Sequence, residues 1–201
     1  MYFEKLSGKN IFLSPIDIND AEKYTKWLND IEVVKYLELI TQIVNVEKER
    51  YLLEQLNKSA TVFAIIHKES GKMIGNTGLH KVNHLHSKAE AGIFIGDKNF
   101  WNRGYGTEAM QLLLDYGFNI LNLHNISLKV IDYNERAFKS YRKCGFKEVG
   151  CLRESYQIGG ELYDMRIMDI LSTEYDSAYV NDKIKKSDHE EKYGAKLEIV
   201  E

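Results

Sequence analysis

The sequence predicts a mixed α/β domain in which one central sheet is covered by helices. Three observations carry that reading. In the first half, stretches rich in β-branched and aromatic residues follow one another across short turn signals, as strands of an antiparallel meander do. A glycine-bearing turn at 103–107 then opens a long amphipathic helix. Beyond it, strand-like runs alternate with helical ones, the order expected of a sheet with helices on its faces. The chain has 201 residues and one proline, Pro15, so it can bury a sizeable core and no Pro-rich linker divides it.

The elements follow in order. Residues 10–16 read as a first strand, with Ile11, Phe12 and Leu13 as its apolar run. Asp17 or Asn19 can cap a helix reaching to about residue 29, in which Ala21, Tyr24 and Leu28 keep helical spacing. A second helix is expected over 46–56, with Leu52, Leu53 and Leu56 among charged neighbours, and the stretch 32–45 between the two is ambiguous. Strands are expected at 61–67, 73–82 and 89–96, with a turn at 69–72 and a polar loop at 83–88. The helix after the glycine turn runs to about residue 121, with Ala109, Leu112, Leu113, Tyr116 and Ile120 as its buried stripe. A strand at 125–131, a short helix at 134–143, a strand at 146–156, a turn at Gly159-Gly160 and a strand at 162–171 complete the domain, which spans 1–176. The tail from 177 to 201 is charged, and a frayed helix or disorder is expected there.

Composition narrows the function. Hydrophobic residues make up 44% and charged residues 28%, as in ordered globular proteins. A formal charge of −3 argues against nucleic-acid binding by bulk electrostatics. The first ten residues lack the apolar centre of a signal peptide, and no run approaches the roughly 20 apolar residues that cross a bilayer. A cytoplasmic location without a membrane partner is therefore expected. Cys144 and Cys151 have neither metal nor redox spacing and should be reduced, Cys144 packed on its helix. His80, His84 and His86 match no standard zinc pattern, so no metal is expected.

The segment Arg103-Gly104-Tyr105-Gly106-Thr107 has the makings of an anion site. Amides at a helix start have no intrahelical partner, and the helix dipole adds partial positive charge there. Gly104 and Gly106 let a phosphate approach the backbone, Arg103 adds charge and Thr107 a hydroxyl. The same two glycines could merely form a tight turn. The third glycine of a dinucleotide fingerprint and the Lys-Ser/Thr pair of a P-loop are both missing.

About thirty residues on, Asn134-Glu135-Arg136-Ala137-Phe138-Lys139-Ser140-Tyr141-Arg142-Lys143-Cys144-Gly145-Phe146 resembles the N-x-x-A-x-x-x-Y-x-K-x-G-F signature of the GNAT acetyltransferases. The order of elements around the R-G-x-G-T turn is similar too, and the likeness extends from about residue 10 to 171. Asp115-Tyr116-Gly117-Phe118 and Ile158–Asp164 resemble the branch of ribosomal-protein N-terminal and spermidine acetyltransferases. The resemblance implies a central, mostly antiparallel seven-stranded sheet. It implies acetyl-CoA as cosubstrate, its pantetheine pairing with free backbone around Phe94, Ile95 and Gly96, and its pyrophosphate held by the turn Arg103, Gly104, Tyr105, Gly106 and Thr107. Asn134 would bind the pantetheine and Tyr141 would lie near the thioester sulfur. Where the family usually has Gln or Arg, this chain has Trp101, which puts a side-chain contact there in doubt.

Acetyl transfer needs a neutral amine, a polarised carbonyl and a protonated leaving thiol. An alkylamine has a pKa of about 10 and must lose a proton; a thiol at about 8.5 leaves readily. Tyr141, two helical turns from Asn134, is the candidate acid. Glu90, which shares a strand face with Phe94, is the candidate base, with a water relay as the alternative. The acceptor would be a primary amine of a small molecule or a peptide N-terminus. Glu32, Glu38, Glu47, Glu49 and Glu54 fit a polyamine acceptor, or equally a solvated helix face. A catalytically idle acyl-CoA-binding module and a plain interaction domain are the competing readings, and a homodimer is compatible with the chain.

Overall fold

In the computed structural model, residues 1–177 and 179 are described; apart from Ser177 and Tyr179, the expected tail lies outside them. Thirteen regular elements follow in chain order: β1 (Leu6–Ser7), β2 (Ile11–Pro15), α1 (Ala21–Leu28), α2 (Ile31–Val34), α3 (Val46–Ser59), β3 (Val62–His67), β4 (Met73–Asn83), β5 (Lys88–Ile95), α4 (Tyr105–Asp115), β6 (Asn125–Ile131), α5 (Glu135–Lys143), β7 (Lys147–Ile158) and β8 (Glu161–Leu171). They form one sheet of order β1-β2-β3-β4-β5-β6-β8-β7. Every neighbouring pair is antiparallel except β5 and β6. The sheet has eight strands rather than the expected seven. The extra one is β1, where two residues pair with Phe12 and Leu13, too few to show any periodicity.

Each face of the sheet has its own core. On one, Leu13, Phe63, Ile65, Leu79, Ile126, Leu128 and Phe146 pack with Ala109, Met110, Leu112 and Leu113 of α4. On the other, Ala21, Tyr24 and Leu53 from α1 and α3 pack on Val62, Ala64, Ile66 and Met73. Alternate residues of β3 serve opposite cores, which is why all six of its side chains are buried.

Asp17 does act as the expected cap, though of a 3-10 turn at Ile18–Asp20 that leads into α1; its side chain accepts from the Asn19 amide at 3.0 Å. Within the ambiguous stretch lies only the single turn of α2, capped by Asp30. The long helix is not uniform. After α4 the chain widens into a π-helical turn at Tyr116–Ile120, with Leu121 N–H donating to Tyr116 O at 3.0 Å. Gly117 lets this turn lie against the sheet, because a Cβ there would stand 2.5 Å from Ile126 Cδ1.

Buried Glu108 ties α4 to the turn between β1 and β2. Its carboxylate accepts from the Asn10 amide at 2.7 Å, Asn10 Nδ2 at 2.9 Å and the Ile11 amide at 3.2 Å. Removing a carboxylate that accepts several N–H bonds strands those donors. Glu108→Ala should therefore cost about 3 kcal/mol in chemical denaturation. A loss below about 1 kcal/mol would mean the knot carries no stability.

Candidate active site

The parallel pair at the centre of the sheet is short. Only Lys88, Ala89 and Glu90 of β5 pair with Asn125, Ile126 and Ser127 of β6. Beyond Glu90 the two strands separate. Each remains held on its other side: β5 by β4 from Gly75 to Asn83, and β6 by β8 along its whole length. The fork opens into a cleft of about 950 Å³ that runs through the sheet plane and is walled by both halves of the chain.

Ladder alternation decides which backbone groups face the fork. Gly96 N–H donates to Ile74 O at 3.0 Å, so its amide points to β4. Phe94, two residues back and paired with Asn76, shares that direction, whereas Ile93 and Ile95 point toward the gap. This corrects the expectation that the backbone of Phe94 and Gly96 would meet a ligand; of the three residues expected, Ile95 alone turns its backbone to the gap, beside Ile93. Gly96 has a packing reason instead, since a Cβ there would lie 2.2 Å from the Trp27 ring. Trp101 donates from Nε1 to Ile95 O at 2.7 Å, fixing the loop before α4 to the end of β5.

The glycine turn sits on the same cleft. Gly104 caps α4 at φ +84°, a left-handed conformation suited to glycine, and the first intrahelical bond runs from Glu108 N–H to Gly104 O. The amides of Tyr105, Gly106 and Thr107 therefore have no intrahelical partner. Side chains in the turn do other work. Tyr105 packs on His67 and Phe100, and its hydroxyl is 3.1 Å from His67 Nε2. The Thr107 hydroxyl pairs with Ser140 at 2.8 Å, joining α4 to α5. Arg103 is exposed, outside the lining of the cleft. Five cations line it: Lys81 and Lys129 from the strands, and Arg136, Lys139 and Lys143, which helical spacing puts on one side of α5. Arg136 also stacks on Trp101, its guanidinium 4.2 Å from the ring centre.

Asn134 and Tyr141 both line the cleft, as their seven-residue spacing predicted. Asn134 caps α5 by accepting from the Ala137 amide at 3.2 Å, which leaves its Nδ2 free to face a ligand. Tyr141 packs edge-on against Phe146, and burial pushes its hydroxyl up to about 12, Cys144 adding to the shift. Cys144 itself is buried, its thiol 3.6 Å from Thr107 O, and burial raises it to about 12 as well. Glu90 stands where the strands part and lines the cleft on the face of Gly92 and Phe94, but its carboxylate is paired with Lys81 at 2.9 Å.

The far wall comes from α1, α3 and residues 31–40. Two tyrosines from the C-terminal half hold that segment down: Tyr133 donates to Lys35 O, and Tyr156 to Leu37 O at 3.0 Å. Of the five glutamates noted in the sequence, only Glu38 and Glu49 line the cleft. Glu47 and Glu54 are exposed on α3, and Glu32 is bound to Lys98 at 2.8 Å. Among the described residues no helix is long and apolar enough to cross a membrane, and no group of three or more side chains is set to hold a metal.

An open strand edge, three free amides at a helix start and a strip of cations fit an extended, phosphate-bearing cosubstrate such as acetyl-CoA. Comparison with known proteins agrees. The family described as "Acetyltransferase (GNAT) domain" matches residues 10–147. The chain is 32% identical to an uncharacterized N-acetyltransferase, p20, of Bacillus licheniformis over 86% of this chain and 98% of that protein. It is 28% identical to the spermidine N(1)-acetyltransferase of Escherichia coli K12 over 84% of this chain and 90% of that one. Among solved structures, spermidine N-acetyltransferase from Vibrio cholerae, in complex with CoA and spermine, superposes with a TM-score of 0.75 at 27% identity, covering 84% of this chain and 99% of that one. A GNAT acetyltransferase from Bacillus anthracis shares the fold at 0.74 and 24% identity, covering 87% and 100%. The chain belongs to the GNAT acetyltransferases, enzymes that acetylate amines at the expense of acetyl-CoA.

Proposed function

We propose that this enzyme acetylates a primary amine of a small molecule or a peptide N-terminus by direct attack within a ternary complex, a polyamine being the acceptor that its named relatives favour. The observation that carries the reading is the fork after Glu90, which brings free backbone of β5, the start of α4 and the Asn134–Tyr141 side of α5 onto one cleft. Acetyl-CoA supplies the activated acetyl group when bound. The amides of Ile93 and Ile95 would align its pantetheine arm, those of Tyr105, Gly106 and Thr107 its pyrophosphate, and Arg136, Lys139 and Lys143 would balance the phosphate charge.

Direct attack is favoured over an acyl-enzyme because neither cysteine is poised as a nucleophile. Cys144 is buried with its thiol at about 12, and Cys151, hydrogen-bonded to Asp164 at 3.4 Å, is raised too. Tyr141 keeps its proton throughout the neutral range. With the hydroxyl at about 12 and a free thiol near 8.5, complete proton transfer to a thiolate is uphill by about 5 kcal/mol. Its role is therefore to donate a hydrogen bond toward the leaving sulfur, the thiolate being protonated in net terms by the proton that the nitrogen sheds after the neutral amine has attacked. The ion pair with Lys81 occupies the Glu90 carboxylate and favours relay of that proton through water. Retention of Tyr141 and Asn134 on one cleft argues against an idle binding module.

Two variants test this. Tyr141→Phe should lower kcat by about 100-fold in an assay of thiol release with a panel of polyamines, amino sugars and peptides. CoA affinity measured by calorimetry should change less than about twofold. Equal turnover would remove Tyr141 from the reaction. At Gly106 an added Cβ meets nothing closer than 3.9 Å, so Gly106→Val should fold normally. It should nonetheless lose at least about 100-fold in CoA affinity, because the side chain fills the space over the free amides. Normal CoA binding by that variant would contradict the phosphate cradle.

A further inference from the structure

The cleft reaches both faces of the sheet, and its two ends differ in charge. Tyr141 and the cations of α5 lie on the side of the α4 core, whereas Tyr24 and α3 belong to the opposite core, with Phe94 packed between at 6.4 Å from the Tyr24 ring. At that second end the sequence breaks its own pattern. The inward stripe of α3 reads Val46, Glu49, Leu53, Leu56, so a carboxylate occupies an apolar position. Glu49 is 2% exposed, and its carboxylate makes no ion pair or hydrogen bond among the described residues. Beside it is Tyr24, 1% exposed, whose hydroxyl is close enough to Asn76 to interact with it but makes no hydrogen bond of good geometry among the described residues. Both side chains line the cleft.

An isolated buried carboxylate is costly, and proteins keep one only where it is protonated or matched by a cation. Among the described residues no cation forms an ion pair with Glu49, and Lys48 acts on it only at longer range. Lys48 points to Gln42 Oε1 at 3.3 Å, and Lys23 donates to Met73 O at 2.6 Å. Burial raises the Glu49 pKa, with Lys48 only partly opposing, so burial favours the neutral acid and a cation beside it would favour the anion. A cation that pairs with it as the anion would arrive through the cleft.

We infer that Glu49, with the Tyr24 hydroxyl beside it, seats an ammonium group of the acceptor other than the nitrogen that is acetylated, so that the enzyme selects a di- or polyamine over a monoamine. The inference rests on the acetyl-transfer reading. The reacting nitrogen must reach the fork near Tyr141, and a seat on the other core takes the far end of the same molecule. Glu49 is thereby a specificity residue, distinct from the groups at the thioester.

Matched amines test it: 1,4-diaminobutane against butylamine, compared by the ratio of their kcat/KM values. In Glu49→Gln that ratio should fall by about 10-fold or more, through KM for the diamine. Tyr24→Phe, which removes only that hydroxyl, should lower it less. Without ligand, Glu49→Gln should melt at or above the temperature of the parent, because it discharges a buried group that no described residue pairs. An unchanged ratio, an equal fall in kcat for both amines, as a general base would give, or a lower melting temperature would each overturn the assignment. Calorimetric binding of 1,4-diaminobutane in the presence of CoA separates the two readings. Diamine binding weakened by Glu49→Gln without any turnover in the parent would sink acetyl transfer and leave this seat standing. Turnover of both amines with an unchanged ratio would do the reverse.

Discussion

The structure depends on one interrupted interaction, the parallel ladder between β5 and β6, which stops after three residue pairs. A sheet interior normally pairs every amide and carbonyl, because a buried unpaired backbone group costs as much as a lost hydrogen bond. Here the interruption persists because each strand is secured from behind. β4 pairs with β5 past the point of divergence, and β8 pairs with β6 from Asn125 to Ile131. Trp101 adds a clamp at Ile95 O, just where β5 would otherwise be free to rejoin its neighbour. The fork is therefore a built opening whose unpaired edge calls for an extended partner, and the pantetheine arm of acetyl-CoA has the length and the amides to be one.

Charge is distributed along the cleft in keeping with a reaction between an anion and a cation. Arg136, Lys139 and Lys143 of α5 line one side and Glu38 and Glu49 the other, while the lining strands add Lys129 and the Lys81–Glu90 ion pair. A phosphate-bearing cosubstrate and an ammonium-bearing acceptor would each meet its complement and approach the fork from opposite cores. The same separation would discourage either ligand from occupying the other's end, a use of repulsion as well as attraction in selectivity. The two tyrosine hydroxyls that fix residues 31–40 keep the acceptor wall in register with the C-terminal half.

Much of this was legible in the sequence, for identifiable reasons. The strands at β3 and β4 carry strong local signals, the glycine turn gains weight only beside the later motif, and Asn134 and Tyr141 share a helix at a spacing that leaves little freedom. What could not be read depends on tertiary pairing. Two-residue β1 has no pattern, and the π-helical turn at Tyr116–Ile120 answers to the crowding of Gly117 against Ile126. The direction of the β5 amides is set by the register with β4, so of the expected Phe94, Ile95 and Gly96 only Ile95 turns its amide to the gap, with Ile93 beside it. Arg103 attracted attention by its nearness to the glycines, while the α5 cations on the cleft were recoverable from the spacing of Arg136, Lys139 and Lys143. Glu49 also left a signal, a charge within the apolar stripe of α3, which a count of acidic residues alone passes over.

Hydrogen exchange at single amides of β5, with and without CoA, tests the fork most directly. In the free protein Gly92 and Phe94 should be protected by β4 while Ile93 and Ile95 exchange rapidly, and CoA should slow the latter pair. Equal protection of all four amides in the absence of CoA would mean that the ladder is continuous, and would contradict the account.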